Sequence, residues 1–347
     1  MATQSEGSQR PEVTDTGARP DLDPDDPGSP ADLSRPSLIA VVKRAAQQFQ
    51  RDNLTDLAAA LTYYSVLAIV PGLIVLVSLL GLVGPNTADE LMNQAQQLAP
   101  GSSADFVHTL ITQAQDNKQG AGLGAILGLA IALWSASGYV AAFMRASNVV
   151  YGIGEGRPIW KTAPIRVGVT VVAVVLLLVS TVIVIASGPV AQQLGDLLGL
   201  GSTTVTVWNI AKWPVLFVLL SILLAILFWA SPNAKQGGVK WISPGGVIAV
   251  LIWVVISVGF AIYIANFSSY DKTYGSLAGV VIFLVWLWLT NIALLLGAEI
   301  NAELDHGRAI AQGLPEDVQP FAEPRDIRKL DDSEKKAAEA ARAARRG

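Results

Sequence analysis

Six long stretches of this 347-residue chain carry no charged side chain, and no other feature limits the possible folds as strongly. A helix needs roughly 20 apolar residues to cross the ~30 Å hydrocarbon core of a bilayer, whereas a soluble helix of that length has a charged outer face. The sequence therefore predicts six transmembrane helices. Their approximate ranges are 57–83, 122–144, 167–188, 213–230, 245–265 and 276–298.

The third stretch is rich in Val and Ile, a composition typical of β-strands. In lipid, however, a single strand leaves its backbone N–H and C=O groups without partners, and a helix satisfies them internally. We therefore predict an all-α, polytopic membrane protein.

The charged residues lie mainly outside these stretches. Only 16 of the 52 fall within 57–298, and the two ends hold the other 36. We therefore predict a membrane domain at 57–305 with polar, disordered tails. The acidic tail at 1–36 is rich in Asp, Pro, Gly and Ser and has no apolar periodicity. The charged tail at 306–347 is predicted to be cytoplasmic and to contain a solvated helix at 333–346.

Residues 37–56 have a different pattern. Leu38, Val42, Ala45 and Phe49 fall on one helical face, and basic residues lie elsewhere. This pattern predicts a short amphipathic helix at a membrane surface. A solvated lead-in to the first transmembrane helix is the alternative.

The loops predict the orientation of the chain. The loops after the second and fourth stretches hold six basic residues and one acid, whereas those after the first, third and fifth hold three basic residues and six acids. An excess of Lys and Arg marks the cytoplasmic side. Both termini are therefore predicted to be cytoplasmic.

The composition also excludes several kinds of site. The chain has no Cys and two His, so thiolate nucleophiles and zinc–thiolate sites are excluded. It contains no GxxxxGK[ST] motif for nucleotide phosphates. We expect no metal, no cofactor and no enzymatic activity.

Polar residues within the apolar stretches are the main candidate functional residues, because such groups are costly in lipid and usually face the bundle interior. Asn291, Glu299 and Glu303 share one face of the sixth stretch and its continuation. Glu299 could bind a cation, relay a proton or pair with Arg145 or Arg166. A structural ion pair at the helix end is the alternative.

Pro71 interrupts the first stretch beyond Thr62 and Ser65. A proline removes its own N–H and frees a carbonyl one turn earlier, so the three residues predict a kinked, polar site. An ordinary proline of a membrane helix is the alternative.

Three further polar residues lie at the ends of these stretches. Asp56 precedes the first one and could cap the helix, a favourable place for a carboxylate. Tyr270 and Tyr274 lie between the fifth and sixth stretches, where aromatic residues commonly mark the membrane interface.

Three segments are distinctive when taken together. They are LAAALTYYSVLAIVPGL from Leu57, RASNVVYGIGEGRPIWK from Arg145 and YDKTYGSLAGVVIFLVWLWLTNIALLLGAEINAEL from Tyr270. Jointly they resemble the YihY / virulence factor BrkB family of bacterial inner-membrane proteins, over about 38–306. The resemblance implies six spans in the cytoplasmic membrane and a role in the cell envelope. Tyr63, Asn148 and Tyr151 lie within these segments and join the candidate residues.

The resemblance implies location more than mechanism. We expect a transporter or flippase for a lipid or amphiphilic solute, with membrane lipids as partners and homo-oligomerisation left open. A non-transporting scaffold that binds partners through its tails or outer loops is the alternative. The family has also been labelled a ribonuclease, but metal-dependent RNA hydrolysis needs clustered carboxylates or His. The sequence shows no such cluster, so we expect neither nuclease activity nor a nucleic-acid partner.

Overall fold

The computed structural model describes residues 35–83, 123–185, 202–266 and 278–344, together with Pro30. Within these ranges the chain forms eight helices and one isolated β-bridge, which confirms the all-α prediction. The helices are α1 Arg35–Arg51, α2 Leu54–Val83, α3 Leu123–Val150, α4 Ile159–Ile185, α5 Ser202–Ala230, α6 Val239–Asn266, α7 Ala278–Ala311 and α8 Asp332–Ala344. The acidic tail predicted at 1–36 lies almost entirely outside the described residues.

The described part of each of the six apolar stretches is helical, from α2 to α7, and residues 122, 186–188 and 276–277 of these stretches lie outside the described residues. Over the described residues, four of these helices are long and apolar enough to cross a membrane, and α2 contributes a shorter apolar segment, Leu54–Ile69. The four are Ile159–Val184, Thr204–Ala230, Pro244–Ile264 and Gly279–Ala311. The count of six spans stays a prediction.

The six helices form a closed ring. From α2 to α7 each helix packs against the next one in the sequence, and α7 packs against α2. Large apolar side chains cover the outside of the ring, among them Val175, Ile210 and Val255, which is 71% exposed. Because such a surface is stable in hydrocarbon and not in water, the ring has the character of a membrane domain.

Helix α1 lies across α7, with Val41 and Ala45 buried and Val42 exposed. Asn53 joins α1 to α2 with a φ of 48°, a left-handed conformation that asparagine tolerates better than most residues. Since α2 begins at Leu54, Asp56 lies exposed in the first turn rather than at the cap. Placement of α1 at a membrane surface stays a prediction.

The prediction of a disordered tail is wrong for the C-terminal end. We define the platform as the α3–α4 loop, 151–158, and the α5–α6 loop, 231–238. Residues 314–331, the strap, fold back over the platform and lead into α8.

The strap and α8 are anchored by apolar side chains that a hydropathy profile does not single out. Phe321 and Leu330 of the strap are buried, and so are Ala338 and Ala341 of α8. The helix predicted at 333–346 is therefore present over Asp332–Ala344 but is not fully solvated. The segment orders because the platform supplies backbone partners for its polar groups, which the sequence alone does not reveal.

Candidate functional site

A polar node joins three helices inside the ring. The Asn291 amide on α7 donates hydrogen bonds to the hydroxyls of Thr62, at 3.1 Å, and Ser65, at 3.4 Å, both on α2. The hydroxyl of Tyr139 on α3 donates to the Asn291 amide oxygen at 2.9 Å. Asn291 is only 2% exposed, so its polar atoms are satisfied within an apolar bundle.

The other candidates on α2 lie apart from this node. Pro71 is half-buried within the helix, which continues past it to Val83. Tyr63 is exposed, and its ring meets that of Tyr64 edge to face. Tyr270 and Tyr274 lie outside the described residues.

Two turns beyond the node, Glu299 is fully buried at 0% exposure. Neither of its carboxyl oxygens has a hydrogen-bond partner among the described residues. The predicted pairing with Arg145 or Arg166 is wrong. The Arg145 guanidinium lies over the ring of Tyr64 at 5.2 Å, and that of Arg166 lies over Trp134 at 3.8 Å, because aromatic rings on their own side of the bundle attract both cations.

Further acids surround Glu299 where α1 crosses α7. Glu303, one turn along α7, accepts a hydrogen bond from Arg44 of α1 at 2.5 Å. Asp52, at the end of α1, has a buried oxygen with no hydrogen-bond partner in the described part of the chain. Burial raises the pKa of Asp52 and the nearby Glu303 raises it further, with a smaller opposing effect of Arg51.

A second cluster of hydrogen-bonded side chains lies where α3 meets the platform, around Tyr151. The Tyr151 hydroxyl donates to Asp305 of α7 at 3.1 Å and accepts from the amide of Gln236 at 3.0 Å. Asp305 also accepts from the backbone N–H of Gly237 at 3.1 Å. Burial holds the pKa of Tyr151 well above its usual range, and Asp305 adds to this effect. The phenol therefore stays protonated and ties α3 to α7.

Arg157 lies at the centre of the platform and is 4% exposed. Its guanidinium donates to both oxygens of Glu155, at 2.8 and 2.7 Å. It also donates to the carbonyls of Ala230, at 3.2 Å, and Ser231, at 2.6 Å. Because the last carbonyls of a helix lack partners, this arginine caps the end of α5.

Asn148 links the two loops of the platform. Its amide donates to Glu155 at 3.0 Å, and its amide oxygen accepts from the backbone N–H of Asn233 at 2.7 Å. Burial alone raises the pKa of Glu155, but the hydrogen bonds from Arg157 and Asn148 outweigh it and lower the value. Glu155 is therefore ionised, and its negative charge is paired with the guanidinium of Arg157.

One anchor of the strap on the platform is Asn233, which is 0% exposed. Its amide donates to the carbonyls of Asp326, at 2.8 Å, and Gly154, at 3.1 Å, and accepts from the backbone N–H of Asp326 at 3.0 Å. The Asp326 side chain binds Arg328 and Lys161 at 2.8 and 2.9 Å. These hydrogen bonds, that of Arg328 first, hold the pKa of Asp326 well below its usual range.

Arg325 adds three hydrogen bonds on the neighbouring part of the platform. It donates to the carbonyls of Ala234 and Trp229, both at 2.7 Å, and to the side chain of Gln236 at 3.2 Å. Gly156 lies under the strap, where a Cβ atom would overlap the backbone carbonyl of Asp326. This close approach requires glycine in the GIGEGRP segment.

Sequence reasoning missed most of these platform residues. Arg157 and Lys161 entered only as loop charges, and Asn233, Asp305 and Asp326 were not singled out. The one available signal was the glycine-rich segment from Gly152 to Arg157, which indicates close backbone contact without naming the partner. Among the described residues, no group of three His, Asp or Glu side chains is placed to hold a metal ion.

Comparison with known proteins gives a consistent result. The sequence model of the family described as Virulence factor BrkB matches residues 45–319. A ribonuclease-like protein, YfkH, of Bacillus subtilis (strain 168) is 30% identical over 71% of this chain and 88% of its own length. No solved structure is similar to the chain at a significant level.

Two relatives carry membrane-protein names. A UPF0761 membrane protein of Rhodospirillum centenum is 32% identical over 79% of this chain, but the match covers only 59% of that longer protein. A UPF0761 membrane protein of Vibrio vulnificus is 29% identical over 80% of this chain and 88% of its own length.

Proposed function

The chain belongs to the virulence factor BrkB family of integral membrane proteins, and we propose that it moves a lipid or amphiphilic solute across the bacterial cytoplasmic membrane. The observation that carries this proposal is Glu299, an ionisable group that is fully buried and has no bonded partner among the described residues. A group of this kind is costly inside a membrane bundle, and such residues commonly mark solute or proton pathways.

The polar node supports the same proposal. Asn291 and Glu299 are eight residues apart on α7, so they lie about 12 Å apart along the axis and about 80° apart around it, on one side of the helix. Helices α1, α2 and α3 supply the groups around them. A line of polar groups between packed helices can admit a headgroup or an ion while apolar chains stay in lipid.

The proposed topology has six spans, α2 to α7, with both termini in the cytoplasm. The platform carries the basic loop residues Arg157 and Lys235, with Lys161 at the start of α4, and the positive-inside rule places such loops in the cytoplasm. The strap and α8 then cover the cytoplasmic end of the ring. This placement also supports an inner-membrane location for the protein.

The test is leaflet-resolved lipid analysis of a strain lacking this protein, complemented with variants. We expect the deletion to change the lipid distribution between leaflets and the wild-type chain to restore it. Glu299→Gln and Asn291→Ala should insert normally and fail to restore it. Asn209→Ala, on the half-buried surface of α5, is the matched control. An unchanged lipid distribution in the deletion strain, or full complementation by both interior variants, would refute the proposal.

A scaffold that binds partners is the second candidate, because the strap and α8 present an ordered surface at one end of the ring. On that hypothesis, removal of residues 332–347 abolishes the phenotype while both interior variants complement it fully. The transport hypothesis gives the reverse order of effects. The two sets of variants therefore separate the candidates in a single complementation series.

We propose further that the chain is not an enzyme. The ribonuclease-like name belongs to the Bacillus relative, and metal-assisted RNA hydrolysis requires a set of metal ligands. Purified protein incubated with RNA and Mg²⁺ or Mn²⁺ should leave the RNA intact. Cleavage that follows the protein through purification would contradict this proposal.

A further inference from the structure

Glu299 accepts no hydrogen bond from any described group. The side-chain oxygen of Gln48 on α1 and one carboxyl oxygen of Asp52, the residue after α1, are buried without partners among the described residues, as are both oxygens of Glu299. Gln48 and Asp52 are four residues apart and therefore face the same side of α1. Each of these four oxygens can accept a hydrogen bond when the acids are ionised, and no described group donates one.

The charges around Glu299 have the same sign. Asp52 approaches it from α1, and Glu303 follows it on α7. Two bases of α1 lie near these acids: Arg44 is engaged by Glu303 at 2.5 Å and by Glu316 at 3.6 Å, and Arg51, which is exposed, acts on Asp52. The one charged residue of α2 is Asp56, which is exposed, and α6 has no charged residue between Pro244 and Ile264.

His306 is a second, independent indication of a missing ligand. It is 4% exposed, and both ring nitrogens lack hydrogen-bond partners among the described residues. Its Nδ1 lies 3.5 Å from a carboxyl oxygen of Glu303, and its ring stacks on Phe321 of the strap at 4.6 Å. An unpartnered imidazole therefore borders the acidic group from the platform side.

An ionised Glu299 would be a buried charge beside two other acids, a state that is strongly unfavourable without a counter-charge. A proton removes that charge and supplies the donor that the neighbouring oxygens lack. A divalent metal is a poorer candidate, because no three acidic or His side chains of the described residues converge on one point.

We propose that Glu299 is a proton-binding site and that Asp52 exchanges this proton with the cytoplasm. In the exchange, the O–H bond of one carboxylic acid breaks and that of the other forms, while the electron pair stays on the first oxygen. His306 and Glu303 provide the route toward the strap. The coupling of this proton to substrate movement rests on the proposed transport function, whereas the binding of the proton does not.

Infrared spectroscopy of the purified full-length protein at neutral pH tests the site directly. We expect the C=O stretching band of a protonated carboxylic acid, and we expect its loss in Glu299→Gln. Glu339→Gln, on the exposed face of α8, should retain the band. Glu299→Asp, which keeps the acid, should shift the band and covers the case in which the Gln variant does not fold.

Three results would overturn the proposal. They are the absence of the band in the wild-type protein, a band that survives unchanged in both Glu299 variants, and a band that disappears when Na⁺ is added at constant pH. The last result would assign the site to a metal cation. A retained band in a protein that moves no lipid would refute the transport proposal and leave the proton site intact.

The coupling is tested in vesicles that contain the protein and a fluorescent phosphatidylethanolamine. An imposed pH gradient should alter the leaflet-exchange rate with the wild-type chain, and Glu299→Gln should lose this dependence. Equal responses of both proteins to the gradient would exclude the coupling.

Discussion

Replacement of Asn233 by Ala should release the strap from the platform. The Asn233 side chain makes three hydrogen bonds, and two of them bind the backbone N–H and carbonyl of the single residue Asp326. Alanine can form none of the three. The two backbone groups of Asp326 would then stay buried without their partners or would separate from the platform.

The expected change in the free energy of strap opening follows from the backbone N–H and carbonyl of Asp326. A buried backbone group without a partner costs about 1–3 kcal/mol. Taking about 1.5 kcal/mol for each, we expect the free energy of strap opening to fall by about 3 kcal/mol. Since 1.4 kcal/mol corresponds to a tenfold change, the open population should rise roughly 100-fold.

Limited proteolysis with trypsin measures this opening, because the strap contains Arg325, Arg328 and Lys329. When opening and closing are fast compared with cleavage, the rate follows the population of the open form. We expect cleavage in the strap of detergent-solubilised Asn233→Ala to be roughly 100-fold faster than in the wild-type protein, with the remaining sites unaffected.

Asn209→Ala is the matched control, because within the described part of the chain the Asn209 side chain accepts a single hydrogen bond, at 3.4 Å, from Lys212 on the same helix. Its cleavage rate should equal that of the wild-type protein. Equal rates for Asn233→Ala and the control would refute the expectation that the Asn233 amide contributes about 3 kcal/mol to the closed state of the strap.

Three further predictions concern the platform and the node. Gly156→Ala should also speed tryptic cleavage of the strap, since the new Cβ overlaps the carbonyl of Asp326, whereas Gly128→Ala, with open space around it, should not. The pKa of Asp326 is lower in the folded protein than the ordinary aspartate value of about 3.9. The contribution of Asp326 to the stability of the closed strap is therefore complete above pH about 3.9 and is lost as the pH falls below it. Cleavage of the strap by pepsin should therefore become faster as the pH falls below about 3.9. In Asp326→Asn the cleavage rate should depend less on pH. Finally, Tyr139→Phe and Asn291→Ala should couple by about 0.6 kcal/mol, a typical value for hydrogen bonds between membrane helices, in a double-mutant cycle of unfolding free energies. Strictly additive effects would contradict the hydrogen bond between them.

The helical content and the positions of the helices could be predicted because the physics is local. An apolar stretch in lipid has to satisfy its backbone hydrogen bonds internally, so length and apolarity suffice to locate α2 to α7. Asn291 and Glu299 are identifiable from the sequence as well, since polar groups stand out against an apolar background. Family membership followed from three segments whose residues are contiguous in the sequence.

The partners of these residues could not be predicted, because they come from distant parts of the chain. Asn291 binds Thr62, 229 positions away. The charge pattern predicts that Glu299 pairs with Arg145 or Arg166, but these arginines, within α3 and α4, contact aromatic rings instead. A charge pattern identifies the side of the membrane on which a side chain lies and leaves its neighbour undetermined.

The C-terminal segment shows the difference most clearly. By itself the sequence determined that 306–347 is too polar to enter the membrane, and polar composition with few apolar residues suggested disorder. Only the tertiary structure decided that it folds, since Asn233, Gly156 and the carbonyls of the α5–α6 loop supply hydrogen bonds to the strap. Hydropathy depends on the residue alone, whereas the burial of a polar group depends on whether another part of the chain presents its partner.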